Sequence, residues 1–381
     1  MVAGLLLAGC GGATVHDSAS RSPGMRTVAR DQLARGDTVA ALVTLRETTR
    51  RYPHDAAAWN DLALLQERSG DLAASQSSYE SAIRADPDHA ESHLNFAVHL
   101  MRRGVTGRAR TEFEEAVAAR PTDPTPHWNF GAALVDVGKP DLAVPHFEAA
   151  LRLDPRCGPA AAELGRAHAR AGRRGAALAA FARAESLGVA TPTFCLNYGI
   201  ELLAAKRYDD AVIRLERTVR RDSTRAAAWS HLGVAHGRAG RFEPARAALE
   251  RAHRLAPDDE DVRFNLVQMF SRLEQHAEVD ALFVARAPQR ADLIAAWGMA
   301  ARALGDGARA QRLLHDATQR APRDATIWNN YGVVLAENGD LAAALTVWRQ
   351  ILSFAPDDAI ARANLAARGA TPGAAPAGKE D

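Results

Sequence analysis

The chain has 381 residues, 47% of them hydrophobic and only 6% aromatic. That mix supplies a sizeable core, and the abundance of alanine argues against a β-sandwich and for helices that approach closely through small side chains. The net charge of +1 conceals segregation, with 15 basic against 19 acidic residues over 1–151, 19 against 10 over 152–254, and 13 against 17 over 255–381. A basic middle between acidic ends either steers an acidic partner or reflects unevenly solvated faces.

The N-terminus reads MVAGLLLAGC. Residues 2–9 are uncharged and mostly apolar, and they lead into Leu7-Ala8-Gly9-Cys10, with Gly11-Gly12 behind. This arrangement resembles the lipobox of bacterial lipoproteins, where a peptidase cuts before the cysteine and the thiol carries diacylglycerol. The resemblance implies a signal segment over 1–9, lipid attachment at Cys10 and a flexible tether over 10–24. It also implies the bacterial envelope as the location. Gly11 in place of aspartate favours the outer membrane, facing the periplasm. The apolar core is short and no Lys or Arg precedes it, so translation is expected to begin upstream. No later stretch holds 18 consecutive apolar residues, so none is expected to span a membrane. Three cysteines give no disulfide framework. Cys157 and Cys195 read as small buried side chains.

From residue 22 onward the chain is periodic. Prolines 53, 87, 121 and 155 are 34 residues apart, and the register continues to Pro257, Pro322 and Pro356. The step from 257 to 322 is 65, so one repeat, ending at Pro288, is three residues short. With Ala56 as position 1, position 8 is Ala63, Ala97, Gly131, Gly165, Gly199, Gly233, Gly298 and Gly332. Position 20 is mostly alanine, and position 24 is large, from Tyr79 and Phe113 to Trp348. Positions 4, 7, 8 and 11 share one face of a first helix, and 20, 24 and 27 share one face of a second. Gly at position 15 ends the first helix. Asp37, Asp71, Asp306 and Asp340 are placed to cap second helices, and Asp55, Asp123, Asp259, Asp324 and Asp358 to cap the next first helices. Pro145 falls inside a second helix and is expected to kink it.

This 34-residue pattern resembles the tetratricopeptide repeat family. The resemblance implies an all-α, right-handed α-solenoid of about ten antiparallel hairpins. The repeats fall at 22–55, 56–89, 90–123, 124–157, 158–191, 192–225, 226–259, 260–290 (shortened), 291–324 and 325–358. A capping helix at 359–368 and a disordered tail at 369–381 are expected to follow.

In the resembled family the first helices line a concave groove, mainly through positions 2, 5, 6, 9, 12 and 13. Position 6 here is Asp61, Asn95, Asn129, Glu163, Asn197, His231, Asn265, Ala296 and Asn330. A carboxamide both donates and accepts, so an asparagine line can pair with a peptide backbone of any sequence; the local alternative is that it bonds neighbouring backbone or water. Trp128 and Phe264 are candidate apolar anchors or inter-repeat core. Arg166 and Arg170 could meet carboxylates. The chaperone-tail clamp of the family needs groove lysines that are absent. No HExxH, GxSxG, Walker loop or CxxC occurs. His89 and His93, with His99 and His127 not far in sequence, have a spacing that can bind zinc. His93 and His127 nonetheless occupy position 4, where Trp59, Trp229 and Trp328 stand in other repeats, and read as packing variants. The sequence thus predicts a non-catalytic scaffold, without cofactor, metal or nucleic-acid partner. It binds a protein or peptide ligand, one possibility being an acidic ligand, and is membrane-tethered through lipid. The alternatives are a cytoplasmic repeat adaptor and, remotely, a metal-dependent enzyme.

Overall fold

A computed structural model describes residues 23–284 and 286–369, and every regular element among them is an α-helix. The signal segment at 1–9, Cys10, nearly all of the tether and the tail from residue 370 lie outside the described residues. Ten pairs of helices follow one another along the chain. They are α1 (Pro23–Ala34) with α2 (Thr38–Arg51), α3 (Ala56–Arg68) with α4 (Leu72–Ala85), α5 (Ala90–Arg102) with α6 (Thr106–Ala119), α7 (Pro124–Asp136) with α8 (Pro140–Leu153), and α9 (Gly158–Arg170) with α10 (Arg174–Ser186). Then come α11 (Pro192–Ala204) with α12 (Tyr208–Arg221), α13 (Ala226–Arg238) with α14 (Phe242–Leu255), α15 (Glu260–Arg272) with α16 (His276–Val284), α17 (Ala291–Ala303) with α18 (Gly307–Arg320), and α19 (Ala325–Glu337) with α20 (Leu341–Phe354). A last helix, α21 (Ala359–Gly369), packs on α20. The chain divides into two compact units, Met1–Glu201 and Leu202–Asp381. In the first, α3, α5, α7 and α9 lie side by side; in the second, α13, α15, α17 and α19 do.

Local chemistry sets these boundaries. All nine aspartates singled out as caps accept backbone N–H bonds at helix starts, for example Asp71 from Ala74 and Asp358 from Ala361. Each first helix ends in a left-handed residue at position 15, which allows a 6→1 backbone bond such as Asp37 N–H to the Gln32 carbonyl. Eight of these residues are glycine, but Lys206 (φ 61°) and Glu274 (φ 56°) adopt the same conformation. Their bonds, Arg207 N–H to Leu202 O and Gln275 N–H to Phe270 O, repeat the glycine pattern. The shortened repeat loses its residues from the second helix, since α16 has 9 residues where α14 and α18 have 14. Helix α8 continues through Pro145, which lacks the N–H for one backbone bond.

The core is built hairpin by hairpin. Position 24 points at position 8: a Cβ added to Gly131 would sit 2.7 Å from the Phe147 ring, and one on Gly332 would sit 2.6 Å from Trp348 Nε1. Phe147 and Trp348 are fully buried by this close approach, each burial contributing about 1.5–3 kcal/mol. Alanines 41, 109, 143, 177, 211, 245, 310 and 344 at position 20 are likewise fully buried. At position 4 the indole N–H of Trp59, Trp229 and Trp328 donates to the carbonyl six residues earlier, at 3.0–3.1 Å. His93 makes the same bond to the Pro87 carbonyl at 2.8 Å, so it fills the tryptophan's role. Cys157 and Cys195 are buried.

Candidate functional site

A cleft of about 480 Å³ opens in the first unit across α3, α5 and α7, within the size range of ligand sites. Leu64, Val98, Met101, Ala133 and Val137 supply its apolar lining. Its polar lining comes from Asn95, Asn129, Glu67, His99, Asp136 and the arginines 68, 102 and 103. Leu64 and Arg68 also line a smaller hollow of about 220 Å³ beside it, toward Arg26, Arg30 and Asp61.

A buried network holds this cleft in shape. Glu67 accepts from Tyr79 Oη (3.2 Å) and Arg102 Nη1 (2.8 Å), and its other neighbour is His99 Nδ1 at 3.6 Å. Burial pushes Glu67 up, but the bonds from His99 and Arg102 outweigh it and hold the carboxyl below its ordinary value. Burial and the Glu67 charge together push the Tyr79 hydroxyl up. His99 stacks against Phe96, and its Nε2 is buried without a hydrogen-bond partner among the described residues.

Lateral bonds between first helices recur at an offset of 35, one repeat plus one residue. Asn95 Nδ2 donates to Asn60 Oδ1 at 3.0 Å, Asn265 Nδ2 to Ser230 Oγ at 3.3 Å, and Arg26 to Asp61 at 2.9 Å. Part of the asparagine line thus bonds locally, the alternative that the sequence left open. Asn95 and Asn129 are buried, and Asn129 donates to the Thr125 carbonyl within its own helix. Each amide spends one of its two N–H groups on these bonds, and its oxygen makes no hydrogen bond among the described residues. Asn197, His231 and Asn330 are half-buried. Desolvation pushes the His231 imidazole down.

Trp128, Phe264 and Arg166 make contacts within the fold. Trp128 is 6% exposed and belongs to the packed interior. Phe264 packs on the core around Leu266 and Phe270 and lies under the Arg290 guanidinium. Arg166 is held by Glu163 (2.6 Å) and Asp136 (2.9 Å), and Arg170 donates to the Val135 carbonyl. The Arg166 charge is thus met within the scaffold, whereas Arg170 is exposed and, among the described residues, makes only this bond to a neutral carbonyl. His89 caps α5 by accepting from Ser92 N–H, and His93 pairs with Glu112, so the two do not converge on a metal position.

Family models described as tetratricopeptide repeat match residues 28–75, 61–124, 129–192 and 295–359, and a second such model matches 202–269. The chain belongs to the tetratricopeptide repeat family. This tetratricopeptide repeat protein is 30% identical over 145 residues to protein FlbA of Caulobacter vibrioides, a match covering 37% of this chain and 24% of FlbA. It therefore spans about a quarter of that relative's length. Among solved structures, PilW, a type IV pilus biogenesis factor, aligns at 20% identity over 55% of this chain and 98% of its own, with a TM-score of 0.49. A tetratricopeptide repeat protein from Parabacteroides merdae aligns at 16% identity over 65% of this chain and 97% of its own, with a TM-score of 0.47. No described helix is long and apolar enough to cross a membrane.

Proposed function

We propose that this protein is a non-catalytic scaffold that holds an extended polypeptide segment in the cleft across α3, α5 and α7. The observation that carries the reading is the cleft's composition: an apolar floor between two amide oxygens, from Asn95 and Asn129, on neighbouring helices. Such a floor takes apolar side chains, while amide oxygens one repeat apart accept from backbone N–H groups of a ligand whatever its sequence. Charge adds a preference. Glu67 and Asp136 are each neutralised by an arginine of the scaffold, Arg102 and Arg166. Among the described residues, Arg103 meets only the neutral Gln76, and the exposed Arg68 makes no ion pair. The cleft therefore favours a segment with a carboxylate beside an apolar side chain.

A peptide-display selection with the purified chain tests this. Enriched sequences are expected to combine apolar and acidic residues. Arg68→Glu weakens them about three- to tenfold, as expected for losing one partly screened pair and adding a repulsion. Arg349→Glu, on the exposed side of α20, leaves them unchanged. Equal effects from both variants would refute the assignment of the cleft.

The reading includes an envelope tether through Cys10, supported by the Leu7–Cys10 motif. Cells fed a palmitate analogue should label the wild-type chain and not Cys10→Ala. Absence of label on the wild type, or its persistence in the variant, would remove the tether and leave a cytoplasmic adaptor.

A further inference from the structure

We propose that His127 and His146 form a two-histidine site for a divalent transition metal of the zinc and copper class, clamping α7 to α8. The two residues sit at positions 4 and 23 of the fourth repeat. In the third repeat that slot holds His93 and Glu112, and there the imidazole Nδ1 bonds the carboxylate at 2.7 Å. In the fourth repeat both partners are imidazoles, and their Nδ1 atoms face each other at 3.5 Å. That separation is too long for a good N–H···N bond, which runs to about 3.2 Å. His127 also lacks the position-4 bond to the carbonyl six residues back that Trp59, His93, Trp229 and Trp328 all make. Its ring is thus free of the role that explains the others.

The separation fits ligation. Metal–nitrogen bonds of about 2.0–2.1 Å at a tetrahedral angle place two nitrogens about 3.3–3.4 Å apart, so the rings need to move only a fraction of an ångström. Imidazole nitrogen suits zinc, copper and nickel. The ligands must be unprotonated to bind. The two rings lie against each other, with centroids 5.8 Å apart. The His146 ring is held against Phe130 with centroids 4.2 Å apart. Two charged neighbours bear on the site: Glu114 of α6 favours a cation at His146, and Arg152 of α8 disfavours one at His127. No group of three ligating side chains converges among the described residues, so water completes the coordination. Helix α7 also supplies Asn129, Ala133 and Asp136 to the cleft, so the metal would stiffen one wall of the cleft.

Zinc chloride titrated into the purified chain at neutral pH, followed by calorimetry and thermal unfolding, tests this. The wild type is expected to take up one equivalent at this site and to melt higher with zinc. His127→Trp installs the residue found at position 4 in three other repeats, so it should fold with unchanged helical content. It should bind that equivalent at least about tenfold more weakly, as should His146→Gln. His315→Gln, in the second unit, should bind as the wild type does. A wild type that takes up no stoichiometric zinc, or variants at 127 and 146 that bind as it does, would overturn the proposal.

Discussion

Lys206 and Glu274 occupy a backbone conformation that every other repeat gives to glycine, and replacing them isolates what that conformation costs. Both have φ near +60° and make the same 6→1 closing bond as the glycines. A side chain in this region costs about 1–2 kcal/mol through its Cβ and the following carbonyl. Glycine gives back about 0.5–1 kcal/mol through its greater freedom in the unfolded chain. The difference leaves Lys206→Gly and Glu274→Gly each more stable by about 0.5–1 kcal/mol. The two sites lie in different repeats and share no partner, so the double variant should gain about the sum. Urea unfolding followed by helical circular dichroism reads this as a rise in midpoint at unchanged slope. Midpoints that fall in both single variants would refute the position-15 account of how these helices stop. The converse change, Gly240→Lys, should lower the midpoint by a similar amount.

Three further outcomes follow from the packing and the charges. Gly332→Ala forces a Cβ into the Trp348 indole, an overpacking cost of about 1–3 kcal/mol; Trp348→Leu in the same chain should recover part of it, and calorimetric melting reads both. Asn95→Ala strips Asn60 of its buried partner and should cost about 1 kcal/mol, so any loss of ligand binding in that variant must be compared with its melting shift. Burial tends to lower the His93 pKa, but its bonds to Glu112 and to the Pro87 carbonyl raise it above the ordinary 6.5. Folding therefore tightens its proton, and this stability is complete below pH 6.5 and is lost as pH rises through the folded value. The stability gap between wild type and Glu112→Gln should thus be widest near pH 5.5 and shrink on alkalinisation. Histidines whose pKa burial lowers, such as His89 and His146, cancel in that comparison.

Much of the fold was legible because its determinants are local. Each capping aspartate acts within three residues of its own position, and the glycine at position 8 and the large residue at position 24 mark one hairpin. Lys206 and Glu274 were not legible as left-handed residues, because neither side chain advertises the conformation that the neighbouring hairpins impose. The candidate site was read only in part. The 34-residue register placed Asn95 and Asn129 on the groove side, but one N–H of each amide is spent on lateral and helical bonds whose 35- and 4-residue offsets a repeat alignment does not display. The network of Glu67, Tyr79, His99 and Arg102 was missed for the same reason, since it joins two repeats. A usable signal did exist in the 12-residue hairpin offset, which pairs Tyr79 with Glu67 and also Ser78 with Gln66. The arginine excess over 152–254 left open whether it steers an acidic partner or only solvates uneven faces. Many of those guanidiniums are paired with scaffold carboxylates, as in Arg173 with Asp141 and Arg241 with Asp209.

The central claim is that a polypeptide lies in the cleft across α3, α5 and α7. A photo-crosslinking residue placed at Val98, and separately at the exposed Glu115 on α6, addresses it with a peptide obtained by selection. The account predicts crosslinks from position 98, mapped by mass spectrometry to an apolar residue of the peptide next to its acid, and none from 115. Crosslinks from 115 alone, or equal yields from the two positions, would contradict it.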